Sequence, residues 1–147
     1  MPTDLPALIL ASHQRLLGRP LLPADIAPEH AAHWLQHDAP FCVLAHDGSA
    51  DPRFIYANAC AQACFGYPAA ELIGLPSRLS AEAPNREERQ QLLDQVSRQG
   101  FATGYRGLRI ARDGRRFWIE DVTVWNLLDA TGACHGQAAT YRRWRDA

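Results

Sequence analysis

Arg109 and Asp121 are the residues whose types and spacing most invite chemistry. They are opposite charges on two strands joined by the hairpin signal Asp113–Gly114. That turn puts residue 109 about one pair from residue 119, so 109 and 121 are neighbours across the ladder. Strict alternation points both to the face of Phe117 and Ile119, towards the interior. A charge buried there needs a partner or a ligand. Two readings stand: a closed ion pair that fixes the sheet, or a polar anchor in an apolar cavity, as small-ligand sites are commonly built. Arg78 offers a second positive group suited to a carboxylate or phosphate, or else a bond to Glu82 or to loop carbonyls. Tyr56, Cys60, Cys64, Tyr105 and Ile119 complete the expected ligand-binding pocket.

His30, His33 and His37 share one face of a short helix, and the i, i+4 pair His33/His37 has zinc-ligand spacing. A solvated surface helix is the plainer reading, and no metal is expected. Of the four cysteines, Cys42, Cys60, Cys64 and Cys134, no two have the two-residue gap of zinc or dithiol sites. Cys60 and Cys64 read as small groups lining the core beside Phe65 rather than as a redox pair. His46 closes the first strand. It is an acid–base group or, on the preferred reading, an organiser of the turn Asp47–Pro52 by hydrogen bonding.

The elements that must position these residues follow from period and punctuation. Thr3 or Asp4 caps a first helix whose face is Leu5, Leu8, Ile9, Ser12 and Leu16, ended by Gly18. Three prolines make GRPLLPADIAP a connector, and Pro28 to Asp38 is a second short helix. Strands follow at Phe41–Ala45 and Arg53–Ala57. Asn58 caps Ala59–Phe65, and Ala69–Ile73 is a single turn. The longest helix runs Asn85–Gly100, with a capping box at Asn85/Glu88 and a buried stripe of Arg89, Leu92, Leu93 and Val96. A meander closes the chain: Tyr105–Ala111, Arg115–Leu127 and His135–Trp144. This is an α+β chain with an antiparallel sheet. Both faces of the middle strand are largely apolar, so both must be covered.

Composition bounds the function. A 147-residue chain is long enough for one self-sufficient core. Charges of 15 Arg against 16 acidic residues leave −1, which argues against a nucleic-acid partner that needs an overall positive field. The longest apolar runs, Ala7–Ala11 and Phe41–Ala45, are far short of the ~20 residues of a membrane span. The N-terminus lacks the base and cleavage site of a signal peptide, so a cytoplasmic setting with reduced thiols is expected.

The runs Tyr56-Ala-Asn58-Ala-Cys-Ala, Phe65-Gly-Tyr-Pro68 and Glu71-Leu-Ile-Gly74, with the later Arg112–Glu120, resemble the helical segment and hairpin of a PAS domain. A narrower resemblance is to the PAS-like MEKHLA family. It is carried by Asp51-Pro52, Pro76–Glu82, Gly100-Phe101, Tyr105-x-Gly107-x-Arg109-Ile110, Val124–Leu127 and Gly136–Thr140. The resemblance implies a five-stranded antiparallel sheet with short helices and one longer helix on one face. It places a small cavity inside; the apolar outer face, read from the strand pattern, is to be covered by the N-terminal helices packing on it or by a second subunit. Residues 1–38 are then an N-terminal helical extension and 39–147 the PAS-like domain. Ser77 stands where flavin photosensors of this superfamily carry their reactive cysteine, and Arg109 and Ile119 where they place amides on the ring. The helix Asn85–Gly100 lacks the histidine that often ligates haem. On these grounds flavin and haem are disfavoured.

The expected function is a non-catalytic sensory module that binds a small molecule and signals through an unidentified downstream protein. A homodimer is expected, centred on an outer row of Trp118, Val122 and Val124 beside the first helix. The alternatives are a pure dimerisation or interaction domain with a filled core, and, behind it, a small enzyme using His46 or Asp121 as acid–base group.

Overall fold

Six antiparallel strands build one sheet around β4 (Arg116–Leu128), the longest of them. The structure, a computed structural model, describes residues 4–147; Thr3, one of the two expected helix caps, lies outside the described residues. β1 (Cys42–Asp47) and β2 (Phe54–Ala57) form one edge hairpin, β3 (Phe101–Ile110) forms the other edge, and β5 (Cys134–Tyr141) joins β1 to β4. The order is β2-β1-β5-β4-β3. β6 (Arg143–Asp146) continues β5 along the outer half of β4, so the expected last strand is present but broken at Arg142. The five-stranded antiparallel frame implied by the resemblance is therefore present.

Local chemistry accounts for most of the elements. Asp4 caps α1 (Leu5–Leu17) by accepting from the Ala7 N–H, and Gly18 ends it in the left-handed region. Residues 28–38 wind continuously through a 3-10 turn (Pro28–His30), one α turn (α2, Ala31–His33) and a π turn (Trp34–Asp38). Asn58 caps α3 (Ala59–Phe65), and Gly66 ends it with φ 73°. α4 (Ala69–Leu72) is short, and a 3-10 turn spans Ser77–Ser80. α5 (Ala83–Gln99) begins earlier than expected. Glu82 takes the cap position without a side-chain bond, so the Asn85/Glu88 capping box does not set its start.

The inner face of the sheet packs Ile119, Val122 and Val124 against Phe65 of α3, Leu72 of α4, and Leu93 and Val96 of α5. Its outer face packs Trp125 and Leu127 against Leu8 and Ile9 of α1 and Leu35. Ser12 pins α1 to β4: its hydroxyl donates to the Leu128 carbonyl at 3.0 Å and accepts from the Leu128 N–H at 2.8 Å. The N-terminal helices thus cover the outer face of their own sheet.

One residue corrects the expected face pattern. Asp121 has φ 52°, the one non-glycine residue with positive φ among the described residues. Tyr105 faces Val122 and Gly107 faces Ile119, so β4 spends one residue more than β3 across this step. That is a β-bulge, and it inverts the alternation of everything beyond it. Phe117 and Ile119 face inward as expected, but so do Val122 and Val124, while Trp125 turns outward. The expected outer row of Trp118, Val122 and Val124 does not exist. β3 compensates with its own irregularity between Ala102 and Tyr105, where Gly104 has φ 71°. The break between β5 and β6 lies opposite the bulge.

Candidate functional site

Between α5 and the inner face of the sheet lies a cavity of about 70 Å³. Apolar side chains form most of its wall, among them Phe54, Phe65, Leu92, Ile119, Val122 and Val124. Its polar groups come from five elements: Arg89 from α5, Tyr105 and Arg109 from β3, His46 from β1, Gln137 from β5 and Ser80 from the 3-10 turn. Gln137 Nε2 donates to the Leu93 carbonyl at 3.0 Å, tying the sheet to α5.

Both guanidiniums are buried, with Arg89 6% and Arg109 7% exposed. Among the described residues neither forms an ion pair with a carboxylate. Arg89 Nη2 donates to the Ser77 hydroxyl. Arg109 donates from Nη1 to the Leu108 carbonyl at 3.0 Å and from Nη2 to the Tyr105 hydroxyl at 3.3 Å. Burial, and then the nearby positive charge of Arg109, push Arg89 down to about 10. It stays charged at neutral pH. Gly107 lies beneath the Arg109 head and the Tyr105 ring: a Cβ there would sit 2.5 Å from the Tyr105 hydroxyl and 2.7 Å from Arg109 Nη1. Only glycine leaves this patch of sheet free for both side chains.

His46 plays the organising part expected of it, its Nδ1 bonding the Asp47 carbonyl at 2.9 Å. A carbonyl only accepts, so Nδ1 carries the proton. Burial lowers the His46 pKa, which keeps the ring neutral and leaves Nε2 an acceptor. Nε2 is buried and has no hydrogen-bond partner among the described residues.

Of the residues expected to bind a ligand, Tyr105, Arg109 and Ile119 line the cavity, and the other five do not. Asp121 is exposed and belongs to a polar groove on the outer side, with Arg142 and Arg143, because the bulge turns it over. The Arg109–Asp121 ion pair is therefore absent. Tyr56 is buried in the outer core, since β2 presents it on the face of Ala45, and its hydroxyl has no partner among the described residues. Arg78 is exposed and pairs with Asp51 at 3.1 Å, not with Glu82. Cys60 and Cys64 pack in the inner core beside Cys42, with Cys60 Sγ 3.4 Å from Cys42 Sγ and Cys64 Sγ 3.5 Å from the Tyr141 hydroxyl. Arg89 is the cavity-lining charge that sequence reasoning passed over. It was already in the buried stripe of its helix, and an arginine there is the signal.

The His33 and His37 rings stack 4.6 Å apart on the surface. Among the described residues no group of three or more His, Cys, Asp or Glu side chains is arranged to hold a metal ion. No helix among them is long and apolar enough to cross a membrane.

The MEKHLA domain model matches residues 3–146. No curated protein matches the chain. Among solved structures, the PAS domain of a protein from Colwellia psychrerythraea aligns with TM-score 0.68 and 19% identity, over 81% of this chain and 95% of that one. A Light-Oxygen-Voltage domain studied with a flavin analogue aligns with TM-score 0.59 and 18% identity, over 72% and 76%. An RNA-binding Light-Oxygen-Voltage receptor aligns with TM-score 0.66 and 24% identity, over 82% of this chain but 33% of that one. With 309 solved chains matching, such likeness fixes the architecture and leaves the ligand to the site.

These likenesses correct the expectation that flavin is disfavoured, since two of the three structures are Light-Oxygen-Voltage proteins. The missing thiol at Ser77 bears on covalent adduct formation. It does not bear on holding a ring by shape and hydrogen bonds. The haem half of the expectation, which excluded one ligating histidine only, is not carried forward.

Proposed function

The chain belongs to the MEKHLA domain family, and from that premise we propose a non-catalytic sensory module of PAS-like fold. It takes a small ligand into the cavity between α5 and the sheet and passes the change on through protein–protein contacts. The observation that carries this reading is the cavity itself, about 70 Å³ and lined in part by His46, whose buried Nε2 has no hydrogen-bond partner among the described residues. An unpartnered buried acceptor at such a space is a place for an occupant. A pure interaction domain would fill that space with side chains. The small-enzyme alternative needed Asp121 or His46 as acid–base group, and Asp121 lies on the far side of the sheet from His46.

The module works in the cytoplasm on this reading, which suits its four free cysteines. Residues 1–38 are the N-terminal extension on this reading, and its described part covers the outer sheet face. A homodimer would use another surface, because α1 occupies that one. Native mass spectrometry of the purified full chain, with an absorption spectrum, is the test. The expected result is a retained small molecule that is lost on denaturation, a flavin being one identifiable outcome. A chain that retains nothing and binds nothing from a metabolite panel would overturn the reading.

A further inference from the structure

Resting on the reading of a ligand-holding cavity, we propose that the ligand is a short carboxylic acid, bound as its carboxylate between Arg89 and Arg109 with its apolar body against Leu92, Val122 and Val124. The two arginines come from different elements and line one cavity, near enough for the charge of one to act on the other. Every ion pair that an arginine makes among the described residues is at the surface; these two are buried and have none. Like charges in a low-dielectric interior repel, and each lacks the compensating charge that buried ions require. An anion between them supplies it.

The donor count agrees. A guanidinium has five N–H groups. Arg89 uses one on Ser77, and Arg109 uses its bonds to Leu108 and Tyr105, so donors remain on both. Planar carboxylates accept such donors in pairs. The glycine at 107 leaves the room that the Tyr105 hydroxyl and Arg109 Nη1 occupy over the sheet. The remaining wall is mostly apolar, which a bare inorganic anion would leave in contact with water. A cavity of about 70 Å³ is several times the space that one water needs, which suits a short branched or linear acid.

The test compares isovalerate, its neutral isostere isovaleramide and inorganic phosphate, by calorimetric titration and melting shift on the full chain. Isovalerate should bind and raise the melting temperature, and isovaleramide should do neither. Arg89→Met and Arg109→Met should each lose about tenfold or more in affinity, the worth of a charge-assisted bond. Without ligand, both variants should melt at or above the parent, because each removes an uncompensated charge. Gly107→Ala crowds the Arg109 head and the Tyr105 hydroxyl while keeping the charges, and should weaken binding in a folded protein. The proposal is overturned if the amide binds as well as the acid, if the arginine variants bind unchanged, or if they melt far below the parent. Phosphate binding as tightly as isovalerate would overturn the apolar body. If isovalerate fails but a neutral molecule is retained, the carboxylate assignment falls and the sensory reading stands. If nothing binds or is retained, both fall.

Discussion

Replacing Asp121 separates the bulge from the ion pair that alternation alone suggests. Its φ of 52° puts an L-residue in the left-handed region, and its side chain is exposed. Asp121→Asn keeps a side chain that tolerates this region and removes the charge, so its cost should be under about 0.5 kcal/mol. Asp121→Gly relieves the backbone at some cost in chain entropy, giving a change between zero and about 1 kcal/mol of stabilisation. Asp121→Val forces a β-branched residue into the same conformation and should cost about 1–2 kcal/mol, or about 3–8 °C in a chain of this length. A broken buried ion pair behaves differently: Asp121→Asn would then cost about 3–5 kcal/mol. Deleting Asp121 is the severe case. Removing the extra residue turns either Phe117 and Ile119 or Val122 and Val124 out of the core, at about 1.5–3 kcal/mol for each side chain. That is enough to threaten the fold. Thermal and urea melts of the four variants are the assay. A loss of several kcal/mol in Asp121→Asn that is recovered by adding Arg109→Met would refute the bulge.

Asn58 is fully buried and uses all its side-chain capacity, accepting from Val43 N and Ala61 N and donating to the carbonyls of Leu35 and Phe41. Asn58→Ala should cost about 3–5 kcal/mol in denaturant melts, because it orphans buried groups on three segments; a loss under about 1 kcal/mol would mean water replaces it freely. Gly136 has φ 141°, and a Cβ there would strike the His46 carbonyl oxygen, so Gly136→Ala should cost more than about 3 kcal/mol. Gly114→Ala, with φ 89° but open space around it, should cost only about 1–2 kcal/mol; equal losses would deny the overlap. His13 and His46 have pKa values lowered by burial, so below about pH 6.5 the unfolded chain takes up protons before the folded one. The melting temperature should fall between about pH 7 and pH 5, and His46→Gln should flatten that limb. Asp129, held low by hydrogen bonds from Thr131 and His135, acts only in a lower window, below about pH 4. A flat profile from pH 7 to pH 5 would show that both rings are solvated.

Where a structure is encoded within a few residues, the sequence alone was enough. The Asp113–Gly114 hairpin, the Asn58 cap, the end of α1 at Gly18 and the stripe along α5 each depend on neighbours within a turn or two. The α+β architecture and the family follow from such signals in series. Tyr105, Arg109 and Ile119 reached the cavity because their parity is set on the hairpin side of the bulge. Tyr56, Arg78, Cys60 and Cys64 did not, because sequence pattern says which residues are buried better than it says against what.

Only the tertiary structure decided the face of Asp121. Side chains along a strand alternate with a period of two, so one added residue exchanges the faces of all that follow. No local signal marks that residue, since Asp suits an ordinary turn or surface strand as well as a bulge. The bulge is held by distant partners: the matching irregularity of β3 near Gly104, the break before β6, and the docking of Trp125 under α1. The same long-range pairing brings Arg89 beside Arg109 across the cavity, two positive charges from separate elements that local chemistry would keep apart.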